Sequence, residues 1–132
     1  MRMLLAVVAL LVSQAVGASQ WDPVGNGGGA KIFLDLQSIA ARGKYRKAWI
    51  KIEYDQPQTT TFPATTRILQ LKLFDCVART VGVQQAAAYS EDGKQVGAPF
   101  SLSATQVAMA DVIPDTMDEV VMGDVCTRRL SP

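Results

Sequence analysis

Arg67-Ile-Leu-Gln-Leu-Lys-Leu-Phe-Asp-Cys76 is the stretch on which the fold turns. Leu69, Leu71 and Leu73 alternate with Gln70, Lys72 and Phe74, which is the period of a strand with two distinct faces. Apolar character then changes side, because Phe74 and Cys76 belong to the face that Gln70 and Lys72 begin. Such a strand either carries a bulge or is covered on both sides. Coverage is the better reading: the only other cysteine is Cys126, and whatever carries it can lie over the Phe74–Cys76 face.

Outward from that strand, the 132 residues amount to one domain. Residues 1–18 read as a cleaved secretory leader. Met1-Arg2-Met3 gives a positive start, Leu4 to Val12 is unbroken apolar sequence, and Val16-Gly17-Ala18 offers small residues before Ser19. The apolar run falls well short of the ~20 residues that span a bilayer, and nothing later is long enough either. No cysteine follows the run to accept a lipid. The expectation is a periplasmic or secreted domain over residues 19–132 with no integral membrane span. Without Arg2, twelve basic residues balance twelve acidic ones, so there is no general attraction to nucleic acid. Export together with two cysteines favours a disulfide over free thiols.

Trp21-Asp22-Pro23-Val24 reads as a first strand, and Asn26-Gly27-Gly28-Gly29 as a turn rather than a phosphate loop, since Ala30-Lys31-Ile32 opens a strand and no helix. Lys31–Leu36 is a strand, and Gln37–Ala41 a turn or single helical turn. Tyr45–Tyr54 alternates clearly. Ala48, Ile50, Ile52 and Tyr54 form its core face, while Tyr45, Lys47, Trp49, Lys51 and Glu53 form a face that is polar but for two aromatics. Gln56–Thr66, with two prolines and five threonines, reads as loop or extended edge. Thr80–Ser90 and Gln95–Leu102 pair through an Asp92-Gly93 hairpin turn, and Ser103–Asp111 is open between loop and short helix. Thr116-Met-Asp-Glu119 fits a capping box, and Met117, Val120, Val121 and Val125 form an apolar stripe that leads directly to Cys126.

The chemistry is sparse. The chain has no histidine, which removes the usual general base near neutral pH and the commonest metal ligand. Ser-His-Asp and Cys-His arrangements are excluded with it, and two cysteines fifty apart make no zinc site. No cofactor or metal is expected. Asp35 and Asp75, both in strand-like segments, could approach across the sheet as a carboxylate pair of the kind a small hydrolase uses. Twelve acids in a small domain bring some pair together by chance, however, and structural acids are the default reading. Tyr45 and Trp49 suit a contact platform or edge packing.

In their order, Trp21, Ile32-Phe-Leu-Asp35 with Ser38-Ile39, Arg46-Lys-Ala-Trp49-Ile50, Phe74-Asp75-Cys76, Val112-Ile-Pro-Asp-Thr116 and Val125-Cys126 resemble the surface-adhesin protein E family, small exported domains of Gram-negative bacteria. The resemblance implies an α+β domain: an antiparallel sheet of about six strands with a C-terminal helix tethered by Cys76–Cys126. It also implies an adhesin that binds host matrix or serum proteins and self-associates. The leading expectation is therefore an exported, non-enzymatic binding domain that meets a protein partner through Tyr45, Trp49, Leu69 and Leu71, on the sheet face the helix leaves open. A homodimer with no external ligand is the alternative, and a carboxylate-pair hydrolase the third.

Overall fold

The alternating stretches pair into one antiparallel sheet. Its strands are β1 (Trp21–Gly27), β2 (Ala30–Asp35), β3 (Ala40–Arg42), β4 (Tyr45–Gln58), β5 (Thr65–Asp75), β6 (Thr80–Tyr89), β7 (Gln95–Ser101) and β8 (Ala110–Asp111). One helix, α1 (Met117–Thr127), follows. The computed structural model describes residues 18–130, so the expected leader lies outside the described residues apart from Ala18. Six strands run in the order β1-β2-β4-β5-β6-β7, and the short β3 and β8 add to β4 and β6. No described helix is long and apolar enough to cross a membrane.

Local chemistry explains the joints. Gly28 and Gly29 take positive φ in the β1–β2 turn, where a Cβ would be strained. Asp35 ends β2 by accepting the amides of Gln20 and Gln37 at 3.0 and 3.1 Å, which nucleates a 3-10 turn over Leu36–Ser38. Asp75 ends β5 in the same way, accepting the amides of Val77 and Ala78 at 3.1 and 2.9 Å. The two carboxylates lie on strands separated by β4 and are occupied by turn amides. In the β6–β7 turn, Asp92 accepts from the Ser90 hydroxyl and the Lys94 amide, which draws its carboxyl below the ordinary carboxylate value, the hydroxyl contributing most.

β5 alternates without interruption from Arg67 to Asp75, and the irregularity falls on its partner β6, where Gln84 is the extra residue between the Leu71–Gln85 and Lys72–Val83 pairs. The two faces of β5 are covered to different extents, one by α1 and the other only at its Leu73 end. On one side Phe74 is fully buried with Ala48, Ile50, Ile32 and Leu34 against Val121, Met122 and Val125 of α1. The Cys76–Cys126 disulfide, with Cα atoms 5.7 Å apart, fastens the end of that helix to the end of β5. Arg46 completes the joint by donating to the carbonyls of Val125 and Arg128 at 2.8 and 2.6 Å, two groups that a helix end leaves unpaired. Lys72 reaches Asp118 at 2.6 Å near the other end of the helix.

Two details of α1 differ from expectation. Val120 is 46% exposed, and Met122, at 2%, takes its place in the buried stripe. The helix is held at its C-terminus by Cys126 and Arg46, and that rotation turns Val121, Met122 and Val125 inward together. The expected capping box does not form, because the side chain of the N-cap Thr116 makes no cap bond. Asp115 is left-handed at φ 61°; the Thr116 hydroxyl donates backwards to the Ile113 carbonyl, and the Glu119 carboxylate accepts the amide of Asp115. Elsewhere β4 continues to Gln58, beyond the expected end at Tyr54, and β3 and β8 form where a turn and an open segment were expected.

Candidate partner-contact face

Residues paired across an antiparallel sheet share a face, so the strand register maps the side that α1 leaves open. One row runs Phe33, Lys51, Leu69 and Ala87, and the next runs Trp49, Leu71 and Gln85. Beyond them lie Lys47, Leu73 and Gly82 at one end, and Lys31, Glu53, Arg67 and Tyr89 at the other. Trp49 and Leu71 are therefore direct cross-strand neighbours, and Leu69 stands beside them. Tyr45 is four residues from Trp49 along β4, about 13 Å away at strand rise. It sits at the margin, with Lys44 Nζ 5.2 Å from its ring centre.

Exposure separates the four expected anchors. Tyr45, Trp49 and Leu69 are half-buried and present part of each side chain to solvent, whereas Leu71 is only 7% exposed and forms the floor between them. Leu73, fully buried, has a different cover. Its partner Gly82 lacks a Cβ, and the chain at Val107–Met109 uses that space: an added Cβ would meet the Ala108 carbonyl at 2.7 Å and a Val107 methyl closer still. This strap roofs one end of the face and leaves the Trp49 and Lys51 rows clear.

Sequence reading missed the second half of the platform. Lys51 lays its ammonium 5.0 Å from the Trp21 ring centre and 4.5 Å from that of Phe33, while it pairs with Glu53 at 2.9 Å. Its side chain is only 18% exposed, so the charge and the two rings form an ordered group. Arg67 lies 4.9 Å over Tyr89 on the same face. Read one strand at a time, Phe33 and Lys51 are an ordinary alternation; only the register joins them to Trp21. Trp49 is held from behind, since its amide donates to the Ser38 hydroxyl at 2.8 Å and that hydroxyl donates to the Asp35 carbonyl at 2.7 Å. The face thus combines rigid aromatic surface, the residue type enriched at protein contacts, with aliphatic surface and with charges fixed in place. No group of three or more acidic or cysteine side chains among the described residues is arranged to hold a metal ion.

Comparison with solved structures finds the same fold. Crystal form II of Haemophilus influenzae protein E superposes with a TM-score of 0.55 at 13% identity, covering 83% of this chain and 96% of that one. A second structure of Haemophilus influenzae protein E gives 0.53 at 14% identity, covering 82% and 91%. Protein E from non-typeable Haemophilus influenzae gives 0.51 at 14%, covering 83% and 82%. A sequence comparison with curated proteins finds no match. The sequence model of the family described as surface-adhesin protein E matches residues 21–127, from the first strand through the last residue of α1, and the chain belongs to that family.

Proposed function

We propose that this protein is an exported, non-enzymatic binding domain of the surface-adhesin type, and that it meets a protein partner through the sheet face opposite α1. The observation that carries the proposal is the Trp21–Lys51–Phe33 group beside Trp49 and Leu69, on a face that no helix among the described residues covers. Ordered aromatics lose little conformational freedom on binding, which is why such residues dominate contact energies. Leu71 supports the anchors from below, and Tyr45 extends the surface at its margin. Export is consistent with the apolar leader and with a disulfide, which persists in oxidising compartments. The turn-bound states of Asp35 and Asp75 favour a structural over a hydrolytic use of these acids.

The test is binding of the purified domain to a panel of matrix and serum proteins by surface plasmon resonance. Trp49→Ala and Leu69→Gln are expected to weaken any specific interaction by tenfold or more, the cost of a hot-spot residue at about 2 kcal/mol. Val120→Ala on the helix side is expected to leave it unchanged. Equal affinity for all variants discards this face as the contact surface, and a dimer in light scattering that Trp49→Ala dissociates assigns the face to self-association instead.

A further inference from the structure

We infer that the occupant of the open sheet face is an acidic protein segment with an apolar middle. The inference rests on the reading of that face as the contact surface and adds the chemistry of what it meets. Strand addition is a poor route for a partner, because the edge strands β1 and β7 hold Pro23 and Pro99 and both break register. Recognition therefore falls to side chains, and their charge is one-sided. Lys31, Lys47, Lys51 and Arg67 stand on the face against Glu53 and, two residues further along β4, Asp55. Asp35 and Asp75, at its margins, are engaged by turn amides. Glu53 turns to Lys51 at 2.9 Å, and no carboxylate among the described residues pairs with Lys31, Lys47 or Arg67. Acids gather instead on α1 and the chain leading to it, at Asp111, Asp115, Asp118, Glu119 and Asp124, so the even balance of the whole chain conceals a basic face.

The placement of these charges narrows the occupant. Lys47 lies at one end of the face, and Lys31 and Arg67 lie at the other in the Glu53 row, about 20 Å away at strand rise. Between the ends stand Trp49, Leu69 and Phe33 with Leu71 beneath, and the one cation there, Lys51, is already engaged by Glu53 and two rings. A nucleic-acid strand needs open ring faces on which bases stack, yet the Lys51 ammonium lies 5.0 Å from the Trp21 ring centre and 4.5 Å from that of Phe33. A sulfated glycan needs cations along its length and leaves the aromatic and leucine centre unmatched. A neutral apolar surface would bury Lys47 and Arg67 without partners, which is costly. A protein segment with carboxylates toward its two ends and apolar residues between them answers both parts of the face. Its ion pairs fall on the rim of the contact, where charge selects the partner and speeds encounter.

The probe is a random copolymer of glutamate and tyrosine, set against the copolymer of lysine and tyrosine and against heparin. The purified exported protein is expected to bind the glutamate copolymer, more weakly as salt rises, to bind heparin less tightly, and to ignore the lysine copolymer. The indole resonance of Trp49 and the amide resonances of Lys47 and Leu69 should move. Losing an exposed ion pair costs about two- to threefold, so Lys31→Gln, Lys47→Gln and Arg67→Gln together should weaken binding about tenfold and flatten its salt dependence. Lys94→Gln, in the β6–β7 turn, should change neither, and an unchanged thermal melt confirms the fold of the triple variant. No binding of the glutamate copolymer, heparin bound as tightly, or full binding by the triple variant overturns the inference. The face and its occupant fail separately. If Trp49→Ala abolishes binding to a matrix or serum protein that the triple variant still binds at full strength, the face stands and its acidic occupant falls. If resonances move only away from the face, both fall.

Discussion

Replacing Cys76 and Cys126 together by alanine tests how the helix is fastened. The cysteines are 50 residues apart in sequence. For a loop of that length the chain-entropy relation gives about 14 cal/mol/K, or about 4 kcal/mol at room temperature, lost through a freer unfolded chain. The native contacts of α1 outlast the substitution, since Arg46 still grips the Val125 and Arg128 carbonyls and Val121, Met122 and Val125 stay buried. The variant should therefore fold, and unfold earlier. Urea titration followed by the fluorescence of Trp21 and Trp49 should show the midpoint falling by about 1.3–4 M, for slopes of about 1–3 kcal/mol/M. A loss below about 1 kcal/mol at unchanged slope would refute the reasoning and reduce the bond to an accessory of a helix already held by packing.

Arg46→Met leaves two helix-end carbonyls without their donor and should cost about 2 kcal/mol in the same titration, with Arg46→Lys recovering only part because it lacks the fork. Gly82→Ala forces the Val107–Met109 strap away from β6 and should cost about 1–3 kcal/mol, with faster hydrogen exchange in β8 as the local sign. For Asp92, the folded-state pKa lies below its ordinary value, so the stabilisation it gives the β6–β7 turn is complete above the ordinary carboxylate pKa and is lost as pH falls through the lowered one. Amide shifts of Ser90 and Lys94 should follow that acid titration in the native protein and stay flat in Asp92→Asn.

Strand alternation made most of the sheet legible, because period-two patterning in Tyr45–Tyr54 and Arg67–Phe74 reflects burial that the fold then realises. The two-sided β5 was readable as a covered strand, but its second cover was not. Only Gly82, across from Leu73, hints that backbone approaches there, and a lone glycine in a strand does not say which segment comes. Of the expected helix stripe, Met117, Val121 and Val125 face the core and only Val120 gives way to Met122, because both are apolar in sequence and the covalent and Arg46 anchors, which lie far apart along the chain, choose between them. Of the contact face, Trp49, Leu69 and Tyr45 could be named from their own strands. Trp21, Phe33 and Lys51 could not, since their association depends on the register of three strands.

The most direct examination of the contact face is hydroxyl-radical footprinting of the domain with and without a captured partner, read residue by residue by mass spectrometry. The account expects protection at Trp21, Phe33, Trp49 and Leu69 and unchanged labelling at Ile113 and Val120 beyond the sheet. Protection confined to Ile113 and Val120, or to Phe62 in the β4–β5 connection, with the aromatic face labelled as in the free protein, would contradict it.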